Sequence, residues 1–224
     1  VEYRNEQDVN FWETKKKSAA SFGGSNTTET TVIVHGGNKA ARLESKYPVI
    51  KFSAASLYTG SFEKLIGTDG EEVNWGTSFA SRPTALKGWM QYAPAVIEGT
   101  QGFSSDAPAD APGKGEPDVC AIFCALLSEA LTVDYKDMGT SAVWASAPSV
   151  TLYGALPAEQ SVSTNGQWKE VNIPLVYRDL NEKPTHLLIV FTSSKYGDYK
   201  HGGKGSTLYI DDFSLEYGDS PVCQ

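Results

Sequence analysis

The sequence lacks the features that mark several large classes of protein. No apolar stretch in its 224 residues approaches the roughly 20 that a membrane-spanning helix needs. Basic side chains are in the minority, 19 against 27 acidic ones, and the formal net charge is −8. Nucleic-acid-binding domains present basic patches, so we expect neither a membrane span in this chain nor a nucleic-acid partner. The first residues also lack the basic start and apolar run of a signal peptide, so we expect any targeting segment to lie outside this sequence.

Cysteine and histidine are scarce, with three residues of each. Cys120 and Cys124 occur in an apolar run that predicts a strand, on which their Cα atoms would be about 13 Å apart. A disulfide needs Cα atoms within about 7 Å of each other. We therefore expect two buried free thiols, and we place Cys223 on a loose tail that starts at residue 218. The histidines lack the spacing of zinc ligands, which argues against a zinc site.

Glycine and proline, with 21 and 11 residues, recur between short runs of β-branched and aromatic residues. This pattern is typical of all-β folds, and only residues 5–20 offer a helical turn or two. Long connections are expected at Thr68–Ser78 and Ser104–Asp118. The runs that predict strands are Thr31–His35, Tyr47–Phe52, Ala85–Ala93, Cys120–Leu127, Val150–Tyr153, Trp168–Leu175, His186–Thr192 and Ser206–Tyr217. Eight strands are enough for two packed sheets with little helix.

Two of these runs are apolar at every position rather than at every second one. They are Leu187–Phe191 and Ala121–Leu127. Strands of this kind are covered on both faces, so we expect both to be central in their sheet.

An aromatic side chain stands between polar ones on one predicted strand. Alternation along Ala85–Tyr92 places Lys87, Trp89 and Gln91 on one face. An indole between a cation and an amide suits a sugar, because the ring can stack on C–H bonds while the polar groups bond hydroxyls. Arg82, just before the strand, adds a planar donor. The alternative, a tryptophan packed under a loop with solvated neighbours, remains open.

A second polar cluster joins two apolar strands and spans residues 193–206. It places Lys195, Tyr196, Asp198 and Tyr199 among several glycines. Functional residues are often on such loops, so these four are candidates for the wall of a binding pocket. A solvated hairpin end would explain the charges but not the two tyrosines.

Several segments together resemble a known family. They are Arg82–Trp89, Lys183–Thr185, Ser193–Asp198 and Gly205–Phe213, with Tyr58–Phe62 and Trp168–Leu175 fitting the same pattern and Asp118–Ile122 matching in part. They resemble the PCMD family, the putative carbohydrate metabolism domain of bacterial extracytoplasmic proteins, from about Phe11 to Tyr217. The resemblance implies a jelly-roll β-sandwich, similar to galactose-binding-like carbohydrate-binding modules and to domains of glycoside hydrolases, and no established reaction. Members of that family often carry an immunoglobulin-like domain ahead of this one, and none is visible in this sequence.

The two ends of the chain resemble those of sugar-binding jelly rolls in which a glutamate and an aspartate hold a structural calcium. Glu13 and Asp212 would be those residues here. Calcium takes six to eight oxygen ligands, so two carboxylates alone do not define a site, and Asp211 and Asp212 could instead bond backbone amides. We expect no required cofactor, and a structural Ca²⁺ at Glu13 and Asp212 is a hypothesis.

The resulting interpretation is a single jelly-roll domain over residues 1–224, with its core at about 11–217, that lies outside the cytoplasm and binds an oligo- or polysaccharide. Trp89 would stack a sugar ring, and Arg82 and Lys87 would bond its hydroxyls. Asp198 would bond the ligand or order its loop.

Two alternatives stay open. A glycoside hydrolase would need carboxylates about 5–5.5 Å or 6.5–9.5 Å apart, and the sequence offers Glu13, Asp118 and Asp198, although we expect no second carboxylate at either separation from Asp198. A structural or adhesion module would need no pocket at all.

Overall fold

The computed structural model describes residues 11–14, 25–47, 52–66, 70–98, 107–134, 146–218 and 222–223. Their strands are β1 (Trp12–Thr14), β2 (Thr27–Thr30), β3 (Ala40–Glu44), β4 (Ser56–Ile66), β5 (Gly70–Trp75), β6 (Thr77–Ser78), β7 (Ala85–Ala93), β8 (Ala121–Leu127), β9 (Leu131–Asp134), β10 (Val150–Ala155), β11 (Lys169–Pro174), β12 (Val176–Tyr177), β13 (His186–Thr192), β14 (Thr207–Glu216) and β15 (Val222–Cys223). Single 3-10 turns occur at Ala158–Gln160 and Gly197–Tyr199, and no α-helix is present in these ranges. None of these segments forms a helix with the length and apolarity that a membrane span needs.

The strands form two sheets that pack face to face. Sheet A has the order β15-β12-β10-β8-β13-β4-β5-β9, with β1 also paired to β4 and β6 to β13, and sheet B has the order β11-β7-β14-β3-β2. All pairs in both sheets are antiparallel except β12 with β15. The chain crosses repeatedly between the sheets, for example from β7 in sheet B to β8 in sheet A. This architecture confirms the predicted jelly-roll β-sandwich.

The main core lies between the sheets and explains the alternation along β7. Leu86, Met90 and Tyr92 are buried there, while the residues between them, Gly88 excepted, are only partly buried. The same interior contains Ile122, Cys124, Leu126, Leu187, Ile189 and Phe191 from sheet A. The opposite face of sheet A also buries apolar residues, namely Ala125, Leu127, Leu188 and Val190, against Val73, Trp75 and Val133. Strands β8 and β13 are therefore covered on both faces, as their composition predicts.

Thr31–His35 is a loop and not the expected strand. The strand before it, β2, ends at Thr30. The carboxylate of Asp211 accepts hydrogen bonds from the backbone N–H groups of His35 and Gly36. Those two amides are therefore bonded to a side chain and not to a neighbouring strand.

Other expectations about local structure also need correction. The connection expected at Thr68–Ser78 contains β5 and β6. Strand β5 is rich in glutamate, and pairing on both sides with β4 and β9, not local propensity, makes it a strand. Within residues 5–20, where we expect a helical turn, Trp12–Thr14 is a strand, and the rest lies outside the described residues. Of the run Tyr47–Phe52, residues 48–51 lie outside them as well, and neither end is in a strand.

The cysteines agree with the expectation in part. Cys120 and Cys124 are buried and free, as predicted. Cys223 is exposed, but it belongs to β15, which pairs in parallel with β12. At Val222 and Cys223 the chain is therefore paired and not loose.

Candidate functional site

A row of residues crosses the outer face of sheet A and forms the floor of a cavity. Tyr58 is opposite Val190, Val190 is opposite Phe123, and Phe123 is opposite Ala155. Directly paired residues point to the same side of a sheet. All four line a cavity of about 850 Å³, within the size range of small-molecule sites. The neighbouring row of Ser56, Thr192 and Ala121 continues the floor with two hydroxyl groups.

Aromatic rings extend this floor into a wall. The ring centroids of Trp75 and Phe123 are 6.3 Å apart, and those of Phe123 and Tyr153 are 6.1 Å apart. These rings come from β5, β8 and β10 of the same sheet, and of these three strands β8 and β10 are paired with each other. Burial raises the pKa of Tyr153, while nearby Lys195 acts in the opposite direction. At neutral pH the Tyr153 phenol is thus a hydrogen-bond donor beside apolar surfaces.

The loop between β13 and β14 supplies a polar rim. The Tyr196 hydroxyl donates to Asp110 Oδ2 at 2.7 Å, and Lys195 Nζ lies 3.6 Å from the same oxygen. The hydrogen bond from Tyr196 is the main cause of a lowered pKa at Asp110; burial opposes the shift and Lys195 supports it. Asp110 is therefore ionised at neutral pH. The ion pair is largely exposed, so its contribution to folding is small.

Two carboxylates share the cavity, because both Asp110 and Asp198 are in its lining. Tyr199 lies near both: after burial, their charges are the causes of its raised pKa. The sequence pattern singled out Asp198 and not Asp110. The expectation that no second carboxylate lies at a catalytic separation from Asp198 stays a prediction. The sequence feature that could have indicated Asp110 is the long proline- and glycine-rich connection Ser104–Asp118, which contains it.

Asp118 anchors the loop that forms the rim. Its side chain is buried, with 1% exposure. Oδ2 accepts hydrogen bonds from Ser194 Oγ, Gly203 N and Ser206 Oγ, and Oδ1 accepts one from Val119 N. Burial raises the pKa of Asp118, and these donors act against the rise. Asp118 is outside the cavity lining, so it orders the site and is not one of a catalytic pair there.

The predicted face of β7 is not part of this cavity. Lys87, Trp89 and Gln91 do share one face, as alternation predicts, but it is the outer face of sheet B. The sandwich core separates that face from the cavity on the outer face of sheet A. The structure therefore places the three predicted residues of β7 and the four predicted residues of the β13–β14 loop on two separate surfaces. The indole of Trp89 is also covered, because the His35 ring stacks on it with centroids 4.1 Å apart and planes 14° apart.

Arg82 lies in neither place. Its Nη2 donates to the carbonyl oxygen of Glu182, and its guanidinium carbon is 5.6 Å from the centroid of the Tyr177 ring. The Tyr177 hydroxyl in turn donates to the carbonyl of Pro83. Arg82 thus connects the loop after β12 to the chain that leads into β7.

The proposed calcium ligands are in different sheets. Glu13 on β1 is opposite Tyr58 and belongs to the outer face of sheet A. Asp212 is on β14 in sheet B, where its Oδ2 is 2.8 Å from His35 Nδ1. The described residues contain no group of three or more His, Cys, Asp or Glu side chains suited to a metal ion. Glu13 and Asp212 are therefore in different sheets, and a structural calcium at these two residues stays a prediction.

Comparison with known proteins gives one family and several solved structures of similar fold. The family model described as "Putative carbohydrate metabolism domain" (PCMD) matches residues 1–216. A Bacteroides thetaiotaomicron protein described as a "putative glycoside hydrolase" is 22% identical, with a TM-score of 0.70 over 93% of this chain and 63% of its own. A Bacteroides vulgatus protein of the same description is 17% identical, with a TM-score of 0.69 over 92% and 85%. At these identities the likeness shows a shared fold alone. The chain spans 63% of the length of the first of these proteins, and no curated protein matches it.

Replacing Asp118 by asparagine tests its role as an anchor. Either orientation of the amide points an NH₂ group at a backbone N–H, of Gly203 or of Val119, so a buried donor loses its acceptor. We expect the free energy of unfolding to fall by about 3 kcal/mol, measured by urea denaturation. Glu159→Gln, at an exposed carboxylate, is the control and should change little. Equal stability of the two variants would contradict the anchoring role.

Replacing Tyr196 by phenylalanine tests the cause of the Asp110 shift. Without the phenol donor, the pKa of Asp110 should rise toward its ordinary value, as followed by ¹³C NMR titration of the carboxyl carbon. Because the folded pKa is lowered, the bond stabilises the fold above the unfolded pKa, and the stability difference from wild type should shrink as the pH falls through the folded pKa. Tyr199→Phe should leave Asp110 unchanged. An unaltered Asp110 titration in Tyr196→Phe would refute the assignment.

Proposed function

The chain belongs to the putative carbohydrate metabolism domain family, and from this premise we propose that it is an extracytoplasmic domain that binds an oligo- or polysaccharide in the cavity of sheet A. The observation that carries the proposal is the cross-strand row of Tyr58, Val190 and Phe123, flanked by Trp75 and Tyr153. Paired strands hold these side chains, so little ordering is needed on binding, which favours affinity. The resemblance to extracytoplasmic proteins supports the location.

The cavity offers both kinds of contact that a sugar needs. Aromatic planes can cover the C–H faces of a pyranose, as apolar and aromatic linings do in small-molecule sites. Lys195 can donate to hydroxyls and Asp198 can accept from them, while the Tyr199 phenol can do both. Loop residues Lys195–Tyr199 thus keep the pocket-wall role that the sequence assigns to them, without Trp89 or Arg82.

The charges in the lining favour a neutral saccharide. Lys195 and Arg178 are its cations, and Asp110 and Asp198 are its anions. Lys195 is already close to Asp110, so an acidic sugar would have to compete with a resident carboxylate. We therefore infer that the preferred glycan carries no uronic acid or sulfate.

Binding should depend on the aromatic wall. Tyr153→Ala removes a ring whose burial against a ligand is worth about 1.5–3 kcal/mol, so affinity for glycans selected on an array should fall about tenfold or more. Tyr217→Ala removes an exposed tyrosine outside the cavity and should bind as wild type does. Isothermal titration calorimetry measures the affinity of each variant, and melting curves check that both are folded. Unchanged affinity in a folded Tyr153→Ala protein would sink the cavity assignment.

A second candidate is a glycoside hydrolase, favoured by the presence of Asp110 and Asp198 in one cavity. Hydrolysis of this kind needs a protonated carboxyl group facing a carboxylate. Asp110 fits the ionised role, because Tyr196 lowers its pKa. Asp198 would then have to be the acid. The fold shared with two proteins described as glycoside hydrolases is compatible with either function.

We expect binding without cleavage, because an oxygen of Asp110 already accepts a hydrogen bond from Tyr196 and has Lys195 nearby, which makes it a weak nucleophile or base. Bound oligosaccharides incubated with the protein should be recovered intact by mass spectrometry. Cleavage that is lost in both Asp110→Asn and Asp198→Asn, while binding persists in each, would instead establish the hydrolase. Glu159→Gln is the control for contaminating activity.

A further inference from the structure

Three rings meet on the outer face of sheet B, on the opposite side of the sandwich from the cavity. His35 comes from the loop after β2, Trp89 from β7, and Trp168 from the residue before β11. His35 stacks on Trp89, and its ring centroid is 5.7 Å from that of Trp168, with the two planes at 68°. Three segments that are distant in sequence thus contribute to one aromatic corner.

Two aspartates on β14 hold this corner in place, at a point where the backbone of the strand is irregular. Asp211 has 4% exposure, and its Oδ2 accepts hydrogen bonds from His35 N and Gly36 N at 2.9 and 3.1 Å. The next residue, Asp212, has φ +51° and accepts from or pairs with His35 Nδ1 at 2.8 Å. The register of β14 against β7 also shifts between Asp211 and Ser214. Strained backbone of this kind persists where its surroundings enforce it, and it is concentrated at functional sites.

Gly36 shows how closely the loop approaches β14. A Cβ atom at this position would lie 2.5 Å from Asp212 Oδ2. A side chain at position 36 would therefore have to displace the Asp212 carboxylate, which lies beside His35. The position of the imidazole is therefore determined by both the backbone and the neighbouring side chains.

The surroundings of the corner are polar. Lys87 and Gln91 lie on the same face of β7 as Trp89 and are partly exposed. The side chain of Asp212 is 49% exposed, so its carboxylate can accept a further hydrogen bond from outside. Ring planes bordered by an ammonium, an amide and a carboxylate match the alternating apolar and hydroxyl surfaces of a pyranose better than they match a protein core.

We propose that this corner, formed by His35, Trp168 and the polar groups of Lys87, Gln91 and Asp212, is a second saccharide-binding surface. It rests on the proposed function in that it takes a unit of the same neutral glycan. Trp89 supports His35 from below and does not touch the sugar. Because the two sites are on opposite faces, one domain can hold two glycan chains or two parts of one chain, and the second contact raises the effective affinity for a polymer.

The test counts binding sites on the whole chain. The probes are the neutral trisaccharides cellotriose, laminaritriose, maltotriose and galactotriose, titrated by calorimetry and by NMR with the indole N–H of each tryptophan as reporter. We expect two equivalents per chain for a trisaccharide that binds, and a shift of the Trp168 indole signal. Trp168→Ala should reduce the stoichiometry to one, Tyr153→Ala should also leave one, and the double variant should leave none.

Controls separate the outcomes. Val162→Ala, at an exposed residue outside the corner, should retain two sites, and His35→Ala is a second disruption should Trp168→Ala melt early. One equivalent that disappears in Tyr153→Ala and is unchanged in Trp168→Ala and His35→Ala would overturn the second surface and leave the proposed function standing. Loss of both equivalents in Trp168→Ala with the fold intact would show that the corner and the cavity do not bind independently and would also overturn the proposal. Absence of binding by every trisaccharide and every array glycan would overturn the proposed function itself.

Discussion

The hydrogen bonds to the buried carboxylate of Asp118 are the interaction on which the site depends. They reach both ends of the loop between β13 and β14, at Ser194 and at Gly203 and Ser206. Ser45 extends the network, since its hydroxyl hydrogen-bonds with those of Ser193 and Ser194 and thereby connects the end of β3 to the same loop. Tyr196 and Lys195 lie between these fixed ends, so a carboxylate that never reaches the cavity decides where the polar rim is.

The same device recurs in sheet B, where buried Asp211 binds the backbone of His35 and Gly36. In both places one aspartate replaces missing strand partners for a loop and holds it against a sheet. A buried carboxylate can do this because it offers several acceptor positions to donors that would otherwise be unsatisfied. Each loop then presents aromatic and charged side chains from a rigid base, which is what saccharide binding requires and what a flexible hairpin would not provide.

The two outer faces differ in how they use aromatic residues. On sheet A the rings of Trp75, Phe123 and Tyr153 surround an open volume, which is suited to enclosing a ligand. On sheet B the rings of His35 and Trp89 cover each other and leave a corner at Trp168. The first arrangement favours burial of a sugar unit, and the second favours contact along the surface of a longer chain. A single sandwich can combine them because the main core between the sheets uses only inward-facing residues, which leaves part of each outer face for other contacts.

Local pattern determined a large part of the fold. The alternation along β7 and the apolar runs of β8 and β13 predicted which residues face inward and which strands are central, because side-chain direction in a strand has a period of two. The family resemblance, spread over most of the chain, predicted the jelly roll. The loop with Lys195, Tyr196, Asp198 and Tyr199 was also recognisable, since polar and aromatic residues stand there between two buried strands.

Only the tertiary structure decided which surface each of those residues reaches. Whether Trp89 and Tyr196 share a pocket depends on the sheet to which β7 and β13 belong, and pairing between distant strands is not encoded in the period of either one. Asp110 became part of the site through a contact with Tyr196 that spans 86 positions, and Asp118 lost its candidacy as a catalytic acid because four donors surround it. Thr31–His35 has the composition of a strand, yet the segment is a loop, and its last amide, at His35, is bound by Asp211, 176 positions away. Side-chain direction follows from neighbouring residues, whereas the partners of a side chain are set by how the whole chain packs.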